Sequence, residues 1–234
     1  MKVIKLYLKY FFSLSNVIIL ILLQLFMFLS YFVSITNLNN DFSYENILQF
    51  YFENSLYYTK LILILFSTFI FMKLNNERNE YILNIVITSG CSKTNNYKYM
   101  FITNIILIIG FCLIAFSIFL ILGFTIKNYF YFDFKYIISL FNLMLLSIYY
   151  GLLSYFITLV LNNQFIYIII IIMFFIGELF MAEETVFKYI YLYFFPNINN
   201  INGELYVSNI YLIIINIVLY FINKIIYINK DLKN

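Results

Sequence analysis

The chain contains no histidine, only two cysteines and only one proline among its 234 residues. Without histidine there is no imidazole to act as a general base beside a serine or to ligate a metal ion. Two cysteines are too few for a zinc cluster. Cys91 stands in a polar stretch and Cys112 inside a hydrophobic run, so both read as unpaired thiols that pack as small apolar groups. No G-x-x-x-x-G-K-[ST] occurs, which excludes holding nucleotide phosphates by the P-loop route. Charge is the scarcest class of all. Only 11% of residues are charged and 64% are hydrophobic, whereas a soluble domain carries about 25% charged residues. A water-soluble core is therefore excluded. The chain reads as an all-α, polytopic membrane domain, and no nucleic-acid partner is expected. Of the fourteen basic residues only Arg78 is arginine. Together with abundant Ile, Asn, Tyr and Phe, that bias fits an AT-rich genome and a bacterial plasma membrane.

What the chain does have is long apolar runs. About 20 residues rising about 1.5 Å each cross a hydrocarbon layer of about 30 Å. Six such stretches are expected, at residues 16–35, 56–72, 101–125, 136–161, 165–181 and 208–227. Ahead of them, residues 1–13 place Lys2, Lys5 and Lys9 at near-helical spacing among Val3, Leu6, Leu8, Tyr10 and Phe11. That pattern predicts a short amphipathic helix in the membrane interface, its lysines toward anionic head groups. A cleaved secretory signal is the rival reading, but no small-x-small cleavage site follows the run from Val17 to Ile35, and an uncleaved anchor is expected. Lys60, near the start of the second span, is expected to reach outward along its own stem.

Orientation follows from the lysines and the arginine. With the N-terminus inside, the inner face holds Lys2, Lys5, Lys9, Lys73, Arg78, Lys93, Lys98, Lys224, Lys230 and Lys233. The outer face holds only Lys127, Lys135 and Lys188, with Lys60 at its edge. The asymmetry puts both termini and the segment 73–98 in the cytoplasm.

That segment, KLNNERNEYILNIVITSGCSKTNNYK, is the one long polar island between spans. Asn75 or Asn76 can cap a helix whose first turn holds Glu77 and Glu80, where the helix dipole favours anions. Ile82, Ile85 and Val86 then fall on one stripe. Gly90 suits the left-handed stop, and Ser92 suits the cap of a new helix that continues into the third span. An apolar stripe on a charged helix outside the bilayer needs a surface to cover it. Either the membrane interface or the underside of the bundle could do so; a docked protein is the favoured reading.

At these residues the chain resembles the type-2 ABC transporter permeases, the membrane subunits of many exporters. Members of that family have an interfacial N-terminal helix, six spans and a cytoplasmic coupling helix between spans two and three. Glu77, Glu80, Ile82 and Leu83 stand where the first part of that coupling helix lies, and Ser92, Lys93 and Lys98 where its turn and following basic residue lie. The Gly-Thr pair usual after the glutamates is missing here. Val186–Phe195, ended by Pro196, is similar to the short re-entrant helices between the family's last two spans, and the C-terminal Ile-Asn-Lys-Asp-Leu resembles its basic-Asp ending. The resemblance implies that Glu77, Arg78, Glu80, Ile82, Ile85, Val86, Ser92 and Lys93 contact an ABC ATPase subunit. It also implies that ATP and Mg are bound by that partner rather than by this chain, and that a second permease, identical or a sister chain, completes the pathway. The substrate would be hydrophobic or amphipathic: an antimicrobial peptide, a drug or a lipid.

Only Glu178 lies well inside a span. A charge at a span's centre costs roughly 2.5–3.5 kcal/mol on insertion scales, so Glu178 is either a residue of the substrate path or a protonated, paired or surface-hydrated group. Asn104, Asn142 and Asn223 could form hydrogen bonds between helices worth about 0.6 kcal/mol each, but asparagine is too abundant here for that to assign a role. Two rival classes remain. One is a membrane immunity or peptide-sensing protein that works without an ATPase. The other is an intramembrane enzyme, which would need convergent catalytic groups that Glu178 alone does not supply; the chain is not expected to be an enzyme.

Overall fold

The computed structural model describes residues 2–36, 56–74, 86, 90–127, 134–161, 169, 172–173 and 204–229. Its regular elements are helices: α1 (Lys2–Phe11), α2 (Leu14–Thr36), α3 (Leu56–Leu74), α4 (Lys93–Lys127), α5 (Phe134–Leu161) and α6 (Glu204–Asn229). Among the described residues, four stretches are long and apolar enough to cross a membrane: Ser15–Val33, Lys93–Ile126, Ile137–Leu161 and Asn209–Asn229. This is a membrane-embedded helical protein. The loop 37–54, most of the expected fifth span at 165–181, the segment 182–203 and the tail after 229 lie outside the described residues.

The bundle is arranged around α3. Apolar residues occur on all its faces, and a helix of that kind belongs inside a core. Ile62, Leu63, Ile64, Phe66, Ile70 and Phe71 are each at most 2% exposed, and α1, α2, α4 and α5 all pack against this helix. Lys60 follows from that position. Its side chain was expected to extend to the membrane surface, yet it is only 3% exposed. The helix that carries it is enclosed by neighbours, so the stem has no open path outward.

The α3–α5 contact is close because α5 presents small residues to it. A methyl group added at Gly151 would fall on the Phe71 ring and the Ser67 hydroxyl. Ser67 donates to the Ser147 carbonyl, and the Thr158 hydroxyl donates to Met72 Sδ at 2.9 Å. Small residues at such a seam let helix backbones approach where lipid supplies no hydrophobic drive.

The outer helices bury narrow stripes. In α2 these are Met27, Tyr31 and Ile35, four residues apart, while Ile18, Ile21, Leu22, Leu25 and Phe32 face outward. Helix α6 inverts the pattern of a soluble helix: Asn209, Asn216 and Asn223 turn inward, and Ile210, Ile214, Ile217 and Phe221 turn out. Against lipid tails those outward side chains need no cover. The inward amides meet α5. Asn142 Nδ2 donates to Asn209 Oδ1 at 2.6 Å, Asn216 Nδ2 to the Leu145 carbonyl at 2.9 Å and Asn223 Nδ2 to the Leu152 carbonyl at 2.9 Å.

Helix α4 packs against every other described helix. Its stripe of Tyr97, Met100, Asn104, Ile108, Phe111 and Ala115 is buried at steps of three and four, and the Phe66 and Phe111 rings stack with centroids 3.9 Å apart. It has 35 residues, about 52 Å at about 1.5 Å each. It therefore outreaches a hydrocarbon layer of about 30 Å by several turns. The polar residues Lys93 to Lys98 belong to this same helix.

Candidate functional site

The site begins with the chain reversal before α4. Gly90 has φ 80°, a conformation open to glycine at little steric cost. The Cys91 N–H donates to the Val86 carbonyl at 3.2 Å, a six-to-one bond closing around Gly90, which is the signature of a Schellman helix stop. One residue later Ser92 starts the next helix. Its Oγ accepts from the Asn95 N–H at 3.3 Å, and its carbonyl accepts the Asn96 N–H at 2.9 Å, the geometry of an N-cap. Gly90 thus closes the turn and Ser92 opens α4 as their residue types predict, with only Cys91 between them.

The first turns of α4 are gripped from three sides. Asn96, 1% exposed, accepts at Oδ1 from the Tyr7 hydroxyl of α1 at 2.6 Å and donates from Nδ2 to the Tyr227 hydroxyl of α6 at 2.8 Å. The oxygen and nitrogen of one side-chain amide therefore tie α1 and α6 to α4. Next to it, the Tyr97 ring lies 6.2 Å from Tyr155 of α5 in a stacked arrangement, 5.3 Å from Tyr220 and 5.5 Å from Tyr227. Its hydroxyl donates to the Tyr220 carbonyl at 3.3 Å. Burial pushes the Tyr7 phenol well above the usual tyrosine range, so it stays a neutral hydrogen-bond donor at physiological pH. Helix α1 reaches this position because Tyr7 and Phe11, one turn apart, are its buried face, while Lys5 and Lys9 remain exposed.

Of the residues expected to contact a partner, Val86 is buried at 1% exposure, Ser92 is exposed and Lys93 half-buried. Val86 is tied to the turn through its carbonyl, and Ser92 and Lys93 open α4. Glu77, Arg78, Glu80, Ile82 and Ile85 lie outside the described residues, as does Glu178. Both cysteines are free thiols, Cys91 partly exposed and Cys112 buried. Among the described residues there is no group of three or more Cys, Asp or Glu that could hold a metal ion. The knot of Tyr7, Asn96, Tyr97, Tyr155 and Tyr227 was missed from sequence. The only signal for it was the Tyr7–Phe11 spacing opposite the lysines; the partner of either side chain could not be read.

What the described residues offer is a short capped reversal that leads directly into a helix packed against the other described helices. Comparison of the chain with protein-family models, with curated proteins and with solved structures finds no significant match.

Proposed function

We propose that the chain is the membrane-spanning permease subunit of an ATP-driven exporter of the type-2 ABC kind. It has six spans, an interfacial α1 and both termini in the cytoplasm of a bacterial cell. The segment 73–98 is the part an ABC ATPase subunit grips. Closure of two ATPase subunits around ATP and Mg pushes that segment, tilts α3 and α4, and switches a cavity between two permease chains from inward to outward access. The cargo is a hydrophobic or amphipathic molecule of the antimicrobial-peptide, drug or lipid class.

The observation that supports this reading most directly is the joint at Gly90–Ser92. A lever needs a stiff connection between the point of force and the moving body, and the N-cap at Ser92 followed by buried Asn96 and Tyr97 supplies one. Since α4 packs on all the other described helices, a displacement at its first turn has a path of direct contacts to each of them. The basic residues clustered on that side favour a cytoplasmic setting.

The test is assembly and coupling. The chain is co-expressed with its ATPase subunit, reconstituted in proteoliposomes, and ATP hydrolysis is measured with the Glu77→Ala, Glu80→Ala and Ile85→Asp variants. Loss of co-purification or a tenfold or greater fall in coupled hydrolysis (about 1.4 kcal/mol of lost interaction) is expected. Unchanged coupling in all three would sink the docking role.

A further inference from the structure

Beneath α1 the bundle has an open groove of about 690 Å³ between α1, α2, α3 and α4. Its walls are almost wholly apolar, with Phe12, Ile21, Phe28, Phe66 and Phe111 prominent. The stretch of α2 that lines it, Leu20 to Phe28, is about 12 Å long at about 1.5 Å per residue, so the groove runs along the helices as an acyl chain would. Gly110 forms part of its floor, and a methyl group placed there would meet nothing within 4 Å. The missing side chain is what leaves the space.

Two features distinguish this groove from ordinary lipid-facing surface. The first is charge at its mouth. At this end the groove is lined by Leu8 and Phe11 of α1 and by Phe12 just after it; Lys5 stands three residues before Leu8, on the adjoining strip of the helix, and Lys9 one turn after Lys5. Both lysines are exposed, and α1 has no acidic residue. The second is Gln24, the one polar side chain in the walls. Its amide oxygen and nitrogen are buried and without a hydrogen-bond partner, so a turn of the side chain toward the groove would let Nε2 donate to a ligand's ester carbonyl, which plain hydrocarbon does not offer.

We propose that the groove holds one anionic phospholipid of the leaflet in which α1 lies, its acyl chain against Gly110 and Phe111 and its phosphate on Lys5 and Lys9. The lipid joins α1 to α2 and α4 across the two-residue break at Phe12 and Ser13. This requires only that the protein sits in a membrane, so it stands or falls independently of the exporter reading.

The experiment places the full chain in nanodiscs of equal phosphatidylglycerol and phosphatidylcholine, releases it gently, and weighs the protein with its retained lipid by native mass spectrometry. One phospholipid per chain is expected, with phosphatidylglycerol favoured at least about fivefold, in line with about one lysine's attraction to an anionic head group. In the Lys5→Gln, Lys9→Gln double variant a lipid is still retained but the preference falls to the bulk ratio. Gly110→Phe, which fills the floor, loses the retained lipid while its thermal unfolding stays near that of the parent; Gly110→Leu is the milder substitute should Gly110→Phe not fold. Equal retention of the two lipids by the parent chain, or undiminished retention by the groove-filling variant, overturns the proposal.

Discussion

Asn96 satisfies two hydroxyls from two different helices with one side chain. Tyr7 is only 1% exposed while Tyr227 is half-buried, so for the Tyr7 hydroxyl the alternative is to go unpaired. Leaving a buried polar group unpaired costs about 1–3 kcal/mol, whereas the net worth of an ordinary hydrogen bond is about 0.5–1.5 kcal/mol. We therefore expect Asn96→Leu to lower unfolding free energy by about 1–3 kcal/mol, measured by denaturant titration in micelles. Tyr7→Phe should cost less, because Asn96 keeps its bond to Tyr227 at 2.8 Å. The double variant should fall short of the sum, since both changes remove the same 2.6 Å contact. Strict additivity would mean that the Tyr7–Asn96 bond contributes nothing.

At the scale of whole helices, three asparagines on α6 recur every seven residues, at 209, 216 and 223. Seven residues are two turns, so one face of α6 donates to or accepts from α5 at three levels. Each contact is modest, about 0.6 kcal/mol on average in membrane bundles. The levels are about 10 Å apart at about 1.5 Å per residue, far enough for their effects to add. Replacing all three by leucine should therefore lower stability by about 2 kcal/mol, read from the midpoint of detergent-induced unfolding. A loss several times larger would mean that the amides form one cooperative network instead. Sequence pattern made parts of this fold legible and left others hidden. Helix positions, the Gly90 stop and the Ser92 cap depend on local backbone chemistry, and local chemistry is written in neighbouring residues. The Asn142–Asn209 and Tyr7–Asn96 pairs join residues far apart in a chain with 24 tyrosines and asparagine throughout, so no residue type marked them out. Lys60 was misjudged for the same reason: whether a stem can reach the surface depends on which helix ends up central, and only packing decides that.

For the molecule as a whole the deciding question is which side of the membrane the joint before α4 faces. The protein carries its own reporter, because Cys91 is partly exposed beside the Gly90 turn and Cys112 is fully buried in α4. Helix α4 is about 52 Å long from its 35 residues at about 1.5 Å per residue, which outreaches the hydrocarbon; if its polar first turns are the part outside, a water-soluble reagent can reach the thiol before them. If the segment 73–98 is cytoplasmic, a membrane-impermeant maleimide should leave intact cells unlabelled and attach one label per chain in inside-out vesicles. Cys91→Ser should abolish the signal. If an ATPase subunit grips that segment, adding it should slow labelling severalfold, because docking would cover the turn that presents the thiol. Labelling of intact cells at Cys91 would turn the bundle over, put the polar segment beyond the reach of any ATP-driven partner, and leave the exporter reading without a motor.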